Sequence, residues 1–219
     1  MFNNNAVLAR MLTRRRFSQL GVAGLAALAA APKAFASDKR YEPVDLGNGR
    51  LTQDWFLESF LEIKDDLSEA VDSGKRLAIL WEQDGCPYCR EMHMVSFAIP
   101  EIREFVEENF LIVQLDIWGS REVTDFAGEV MRERDLAKAW KVRFTPTIQF
   151  LTDDGAVAAA NNPKTFEVSR MPGYLRPMHF LWMFEFVHEK AYTESDFRAF
   201  VKAKVKEFES QKKPFPNWG

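Results

Sequence analysis

Residues 77–93 read Leu77-Ala78-Ile79-Leu80-Trp81-Glu82-Gln83-Asp84-Gly85-Cys86-Pro87-Tyr88-Cys89-Arg90-Glu91-Met92-His93. The run Leu77–Trp81 is apolar and of strand length, and a helix-like segment opens at Pro87, since proline suits a first helical turn. Strand, Cys-x-x-Cys, helix: that order places the Cys86 sulfur at a helix N-terminus, where the dipole's partial positive charge favours thiolate over thiol. Cys86 and Cys89 are the only two cysteines of the chain. Two thiols at this spacing close and reopen a small disulfide and so carry two electrons. The pattern predicts a thiol–disulfide exchange site, with Cys86 as nucleophile and Cys89, one helical turn inward, as the resolving thiol.

Other uses of the pair fit less well. A zinc site takes about four ligands. Of the three histidines only His93 lies near the cysteines, and His179 and His188 sit far downstream. Haem attachment needs a histidine directly after the second cysteine, where Arg90 stands. A purely structural bridge this short would restrain little chain entropy. The reading adopted is redox chemistry carried by the protein's own sulfurs, with no metal and no cofactor.

The leader has an address. Thr13-Arg14-Arg15-Arg16-Phe17-Ser18 is a twin-arginine pattern, an apolar Ala-rich run follows from Leu20 to Ala31, and Ala34-Phe35-Ala36 forms an A-x-A cleavage site before Ser37. The apolar run falls short of the roughly 20 residues a membrane span needs. We therefore expect a cleaved signal peptide over 1–36, export to the periplasm, and no membrane span afterwards. The leader contributes five of the 29 basic residues and no acids, so the remainder holds 24 basic against 32 acidic residues, a formal net charge of −8. That balance disfavours nucleic acid or an anionic membrane as partner. In an oxidising compartment, two cysteines at this spacing speak for redox duty over a disulfide framework.

Residues 37–219 suffice for one well-cored domain. Trp55, Phe56, Phe60, Ile63, Leu67 and Val71 line up as one face of an N-terminal helix with Thr52 as its cap. After the cysteines, the helix from Pro87 to about Met94 is restarted by Pro100 and runs to Asn109. Phe110–Leu115 reads as a strand, Asp135–Lys141 as a short helix, and Thr147–Leu151 as a strand that ends in a hairpin turn at Asp153-Asp154-Gly155. The return strand includes Phe166–Ser169. Pro177 opens a helix carrying Phe180, Leu181, Phe184 and Val187 on one side. The capping box Thr193-Glu194-Ser195-Asp196 opens a last one. The segment Trp118–Arg134 is longer than most connections, which marks it as functional or as holding structure of its own; we expect it to shape the surface beside Cys86.

This element order, with Cys86-Pro87-Tyr88-Cys89 and Thr145-Pro146-Thr147 about sixty residues later, resembles the thioredoxin superfamily over roughly residues 52–190. The implied fold class is α/β, a thioredoxin-like fold whose central mixed sheet is flanked by helices, with an N-terminal helix and an extra C-terminal helix. Asp84–His93, Gln114-Leu115-Asp116-Ile117-Trp118-Gly119 and Arg170-Met171-Pro172-Gly173-Tyr174 are further similar to the periplasmic thioredoxins of sulfur-oxidation (Sox) gene clusters, SoxW-like. That resemblance implies a reductant of protein disulfides or mixed sulfur adducts, such as those on a Sox sulfur-carrier protein, with electrons supplied by an inner-membrane thiol donor. An oxidase or isomerase of the Dsb type, a glutaredoxin-like activity (the Pro-Tyr dipeptide is shared with that group) and a non-catalytic thioredoxin-fold binding module are the alternatives.

The resemblance also implies roles. Pro146 matches the cis-proline that faces the cysteines, and Thr145 beside it would pair with an extended substrate segment. Pro87, Tyr88 and Trp81 would flank the same groove. Thioredoxins carry a buried acid six residues before the first cysteine, where this chain has Leu80; strand alternation turns Glu82 the same way, so Glu82 can substitute if it is buried. His93, four residues after Cys89, lies on the cysteines' side of the helix and could tune a thiolate, although a solvated surface position is the plainer expectation.

Overall fold

The computed structural model describes residues 40–47, 49–212 and 214–218. The leader over 1–36 and its cleavage site lie outside the described residues.

A four-stranded sheet is the frame. Its strands are β3 (Arg76–Glu82), β4 (Phe110–Asp116), β7 (Thr147–Leu151) and β8 (Glu167–Pro172), in the order β4-β3-β7-β8. β3 runs parallel to β4, and the β3–β7 and β7–β8 pairs are antiparallel, so the sheet is mixed. Every residue of β3 is buried, as a central strand covered on both faces requires. Alternation then sorts its side chains. Leu77, Ile79 and Trp81 join one apolar cluster with α1 (Ile63–Asp72) and α4 (Glu133–Ala139). Ala78 and Leu80 join the other, with α3 (Pro100–Asn109) and α7 (Pro177–His188).

The second cluster is built from aromatic rings. Phe110, Phe150, Phe180 and Phe184 meet with centroids 4.9–5.9 Å apart, mostly edge to face. Each of these side chains is fully buried, and each contributes about 1.5–3 kcal/mol. The extra C-terminal helix α8 (Phe197–Ser210) starts at Asp196, whose carboxylate accepts the Ala199 amide at 2.8 Å. It lies on α7: Phe197 and Phe200 pack on Phe186, and Phe208 on Trp182.

Two local expectations are corrected, and a third segment holds structure of its own. The N-terminal helix is α1 alone; Trp55 to Glu62 is not helical, and Thr52 ends β2 (Arg50–Thr52), which pairs with β1 (Val44–Gly47). Trp55 and Phe56 are drawn onto Phe97 instead, while Phe60 projects into solvent and Leu61 takes a left-handed turn at φ 65°. Asp154 does not make a tight hairpin. Its side chain caps α5 (Gly155–Ala159), and α6 (Pro163–Phe166) follows before β8. The long segment 118–134 contains a small hairpin, β5 (Glu122–Thr124) and β6 (Val130–Arg132). Between them Asp125 accepts the Ala127 and Glu129 amides, and Phe126 stacks on Trp140 in the core. Val123 and Phe126 of this segment thus join the first cluster, while most of its other residues are exposed or half-buried.

Candidate active site

β3 ends at Glu82 and the chain turns through Gly85, whose φ of 69° suits a residue without a side chain. Cys86 follows in extended conformation as the cap of α2 (Pro87–Glu91), with Pro87 in the first turn. The Cys89 amide donates to Cys86 Sγ at 3.1 Å, so the donor that favours a thiolate there is already in place. Cys86 and Cys89 form a disulfide, with Cα atoms 5.3 Å apart. Both cysteines are buried, Cys86 7% and Cys89 5% exposed. The cover comes partly from Thr145, whose hydroxyl donates to Cys86 Sγ at 3.3 Å.

The Thr145–Pro146 bond is cis. Two contacts hold the far side of this loop: the Thr147 hydroxyl donates to the Phe144 carbonyl at 2.9 Å, and the Gly173 amide donates to the Pro146 carbonyl at 2.8 Å. Pro146 is buried, Thr145 half-buried, and Pro87 and Tyr88 exposed. Tyr88 stacks on Tyr174, centroids 6.5 Å apart. Burial pushes the Tyr174 phenol up from its ordinary range.

Trp81 is not a groove residue. It is wholly buried, on the face of β3 opposite Leu80, and its indole N–H donates to Gln149 Oε1 at 2.5 Å. Strand alternation carries it away from α2.

Glu82, at the end of β3, and His93, four residues after Cys89, come together inside the protein. After α2 the helix widens into a π turn over Met92–Ser96, a distortion that recurs at functional sites. Within it His93 is completely buried, which corrects the surface expectation, between the rings of Phe56 and Phe97. Its Nε2 lies 3.1 Å from Glu82 Oε1, and its Nδ1 lies 3.0 Å from Gln53 Nε2. Gln114 Nε2 donates to Glu82 Oε2 and, at 2.7 Å, to the Leu51 carbonyl. Glu82 is 2% exposed. A carboxyl group at that depth needs such hydrogen-bond partners.

Gln53, Gln114 and Trp118 were not anticipated as site residues. Gln114 had a signal, a single amide inside an apolar strand, next to Leu80 in the register. Gln53 had none. Trp118 is exposed, and its indole N–H donates to Gln83 Oε1 at 3.2 Å, which sets the one contact of the 118–134 segment with the cysteine loop described here.

Among the described residues no group of three or more His, Cys, Asp or Glu is placed to hold a metal ion, and no helix is long and apolar enough to cross a membrane.

A family model described as a thioredoxin-like domain matches residues 63–188. No curated protein matches the chain. Solved structures similar to it include a thioredoxin-fold protein from Helicobacter pylori, 22% identical with TM-score 0.48 over 61% of this chain and 86% of that one. A thioredoxin from Thermus thermophilus is 22% identical, TM-score 0.42, over 57% and 83%. The C-terminal domain of DsbD from Neisseria meningitidis, in its oxidised form, is 19% identical, TM-score 0.37, over 56% and 90%.

Proposed function

We propose, for a chain that belongs to the thioredoxin-like domain family, that it is an exported thiol–disulfide oxidoreductase, acting in the periplasm as a reductant of protein disulfides or mixed sulfur adducts. The observation that carries this reading is the disulfide itself. Cys86 caps a helix, receives the Cys89 amide at 3.1 Å, and lies against the Thr145 hydroxyl at 3.3 Å.

In the reduced protein the Cys86 thiolate attacks one sulfur of a substrate disulfide. The substrate S–S bond breaks, a Cys86–substrate bond forms, and the departing thiolate takes a proton from solvent. Cys89 then loses its proton and attacks Cys86 Sγ. The mixed disulfide breaks, the Cys86–Cys89 disulfide forms, and the substrate leaves fully reduced. Glu82, with His93 behind it, is the buried base to which the Cys89 proton goes. Thr145 and exposed Pro87 and Tyr88 are the surface on which an extended substrate segment rests. Pro146 lies beneath them.

A dithiol donor must return the two electrons, and an inner-membrane thiol protein fits that task. The sulfur-oxidation motifs in the sequence favour a Sox sulfur-carrier protein as substrate. The leader's twin arginines favour the periplasm.

The reduction potential of the Cys86–Cys89 pair tests the direction. A value near about −270 mV supports the reductant, and one near about −120 mV replaces it with a Dsb-type oxidase. Trapping tests the chemistry. Cys89→Ser should accumulate a covalent partner on Cys86 in periplasmic extract, and Cys86→Ser should not. Failure to trap any partner would leave the non-catalytic binding module.

A further inference from the structure

A second string of polar contacts crosses the sheet behind the Thr145 loop. It starts at Trp81 on β3, whose indole donates to Gln149 on β7; the Gln149 amide in turn donates to Glu167 Oε2 on β8 at 2.5 Å. Glu167 is forked against Arg170, with Nε to Oε1 and Nη2 to Oε2 both at 2.6 Å. The guanidinium is left with two directed donors. They reach the Trp140 carbonyl at 2.9 Å and the Lys141 carbonyl at 3.0 Å, where α4 ends. Lys141 is left-handed, at φ 58°. Four residues later the chain reaches Thr145.

The loop is therefore clamped twice. Its exit is held by Thr147 and Gly173, and its approach by the Val142 amide on the Ala137 carbonyl and, from across the sheet, by Arg170 through two carbonyls. Nothing in the exchange chemistry needs Arg170, which lies on the edge strand. Four of its five donors are nonetheless directed, in a planar fork that lysine cannot reproduce. We infer that Arg170, braced by Glu167, is a positioning residue that sets the Thr145 hydroxyl against Cys86 Sγ.

This inference rests on the exchange reading above, and its test does not need a substrate. A hydroxyl donating to sulfur favours the thiolate, so displacing it raises the Cys86 pKa. The thiolate of the reduced protein is titrated by its ultraviolet absorbance in the native chain, Arg170→Lys, Thr145→Ala and the double variant. Glu82, Asp84, Arg90, Glu91 and His93 are the same in all four. We expect each single variant to raise the pKa by roughly half a unit, about threefold in thiolate fraction, and the double variant to add nothing further. Glu167→Gln keeps the cation and the volume while loosening the fork, and should shift the pKa the same way by less. Full additivity in the double variant, or an unmoved titration with only a lowered Tm, would overturn the inference. Insulin reduction, run alongside, separates the two readings: native protein that titrates as described but exchanges with no disulfide sinks the exchange reading and not this one.

Discussion

Glu82 and His93 face each other inside the protein, Oε1 to Nε2 at 3.1 Å, with an amide at either end of the pair. The carboxylate reaches β4 through Gln114, and the imidazole reaches the segment after β2 through Gln53. Four polar side chains thus bind the cysteine-bearing helix to three other parts of the chain. One detail of this row bears on protons. Gln53 Oε1 is buried without a partner while Nε2 points at His93. With its amide this way round it serves neutral imidazole; reversed, it would accept from imidazolium. Either orientation of the amide keeps the Gln53 contact with the ring.

Replacing Glu82 by Gln keeps the shape and removes the base. We expect attack by Cys86 to continue and resolution of the mixed disulfide to slow by about tenfold or more, since general bases contribute on the order of a hundredfold or more. Rapid-quench analysis of the trapped intermediate reads the two steps separately. Equal rates in variant and native protein would remove Glu82 from the mechanism. His93→Leu leaves both neighbours short of a partner and should cost about 1–3 kcal/mol in denaturant unfolding.

Asp66 gives the stability a pH signature. Burial pushes its carboxyl up from 3.8 to about 6, against the Ser59 hydroxyl that donates to it at 2.7 Å, with Glu69, Asp65 and Glu62 adding to the rise. The folded state then binds this proton more tightly than the unfolded one. The Asp66 contribution is greatest below the unfolded value and declines as pH rises from about 4 through about 6. Discounted for solvent screening, the loss across that window is about 1–2 kcal/mol. Unfolding of Asp66→Asn at stepped pH should lack this slope and match or exceed the native protein at pH 8. A native curve that gains stability over the window would contradict it.

Gly119 has no room for a methyl group. A Cβ there would collide with the Glu133 carboxylate. That carboxylate is buried and holds the Asp116 amide at 3.0 Å, the Arg121 amide at 3.2 Å and the Arg121 guanidinium at 2.6 Å. Gly119→Ala must displace it, and we expect about 2–3 kcal/mol of destabilisation by urea titration. A change under about 0.5 kcal/mol would mean that the carboxylate moves freely.

Deleting α8 should uncover Trp182 and Phe186 on α7. The helix is tied down by Lys204, which reaches Glu185 at 2.9 Å and Glu189 at 3.1 Å. Burial alone would lower the pKa of that ammonium, and the two carboxylates outweigh burial and raise it. A chain ending at Glu194 should lose on the order of 3–5 kcal/mol and bind a hydrophobic dye in its native state. Unchanged unfolding with no dye binding would reduce α8 to an appendage.

Much of this was legible from the residues, and the misses have physical causes. β3, β4 and β7 are apolar runs bounded by breakers, so periodicity located them; the cysteines were found by residue type and spacing, and the Thr145-Pro146 loop by the family resemblance. The helix expected from Trp55 failed because Trp55 and Phe56 spend their apolar surface on Phe97, a tertiary contact that local spacing does not carry. Trp81 was misplaced for the opposite reason. Alternation already put it across the sheet from Leu80 and Glu82, and its nearness in sequence to the cysteines outweighed that signal. His93 was placed on the correct side of its helix. What covers that side comes from β3 and from residues 53–56, and no local pattern announces it.

The contact between α7 and α8 orders events in time. Phe180, Trp182, Met183, Phe184, Phe186 and Val187 are all buried, so α7 presents apolar surface both toward the sheet and away from it. Its outward side is covered by α8 together with Tyr192. On the ribosome α8 emerges after the cysteine site and after all four strands of the central sheet. Until it does, the nascent protein is sticky in one defined place, and the docking of α8 is the event that closes it.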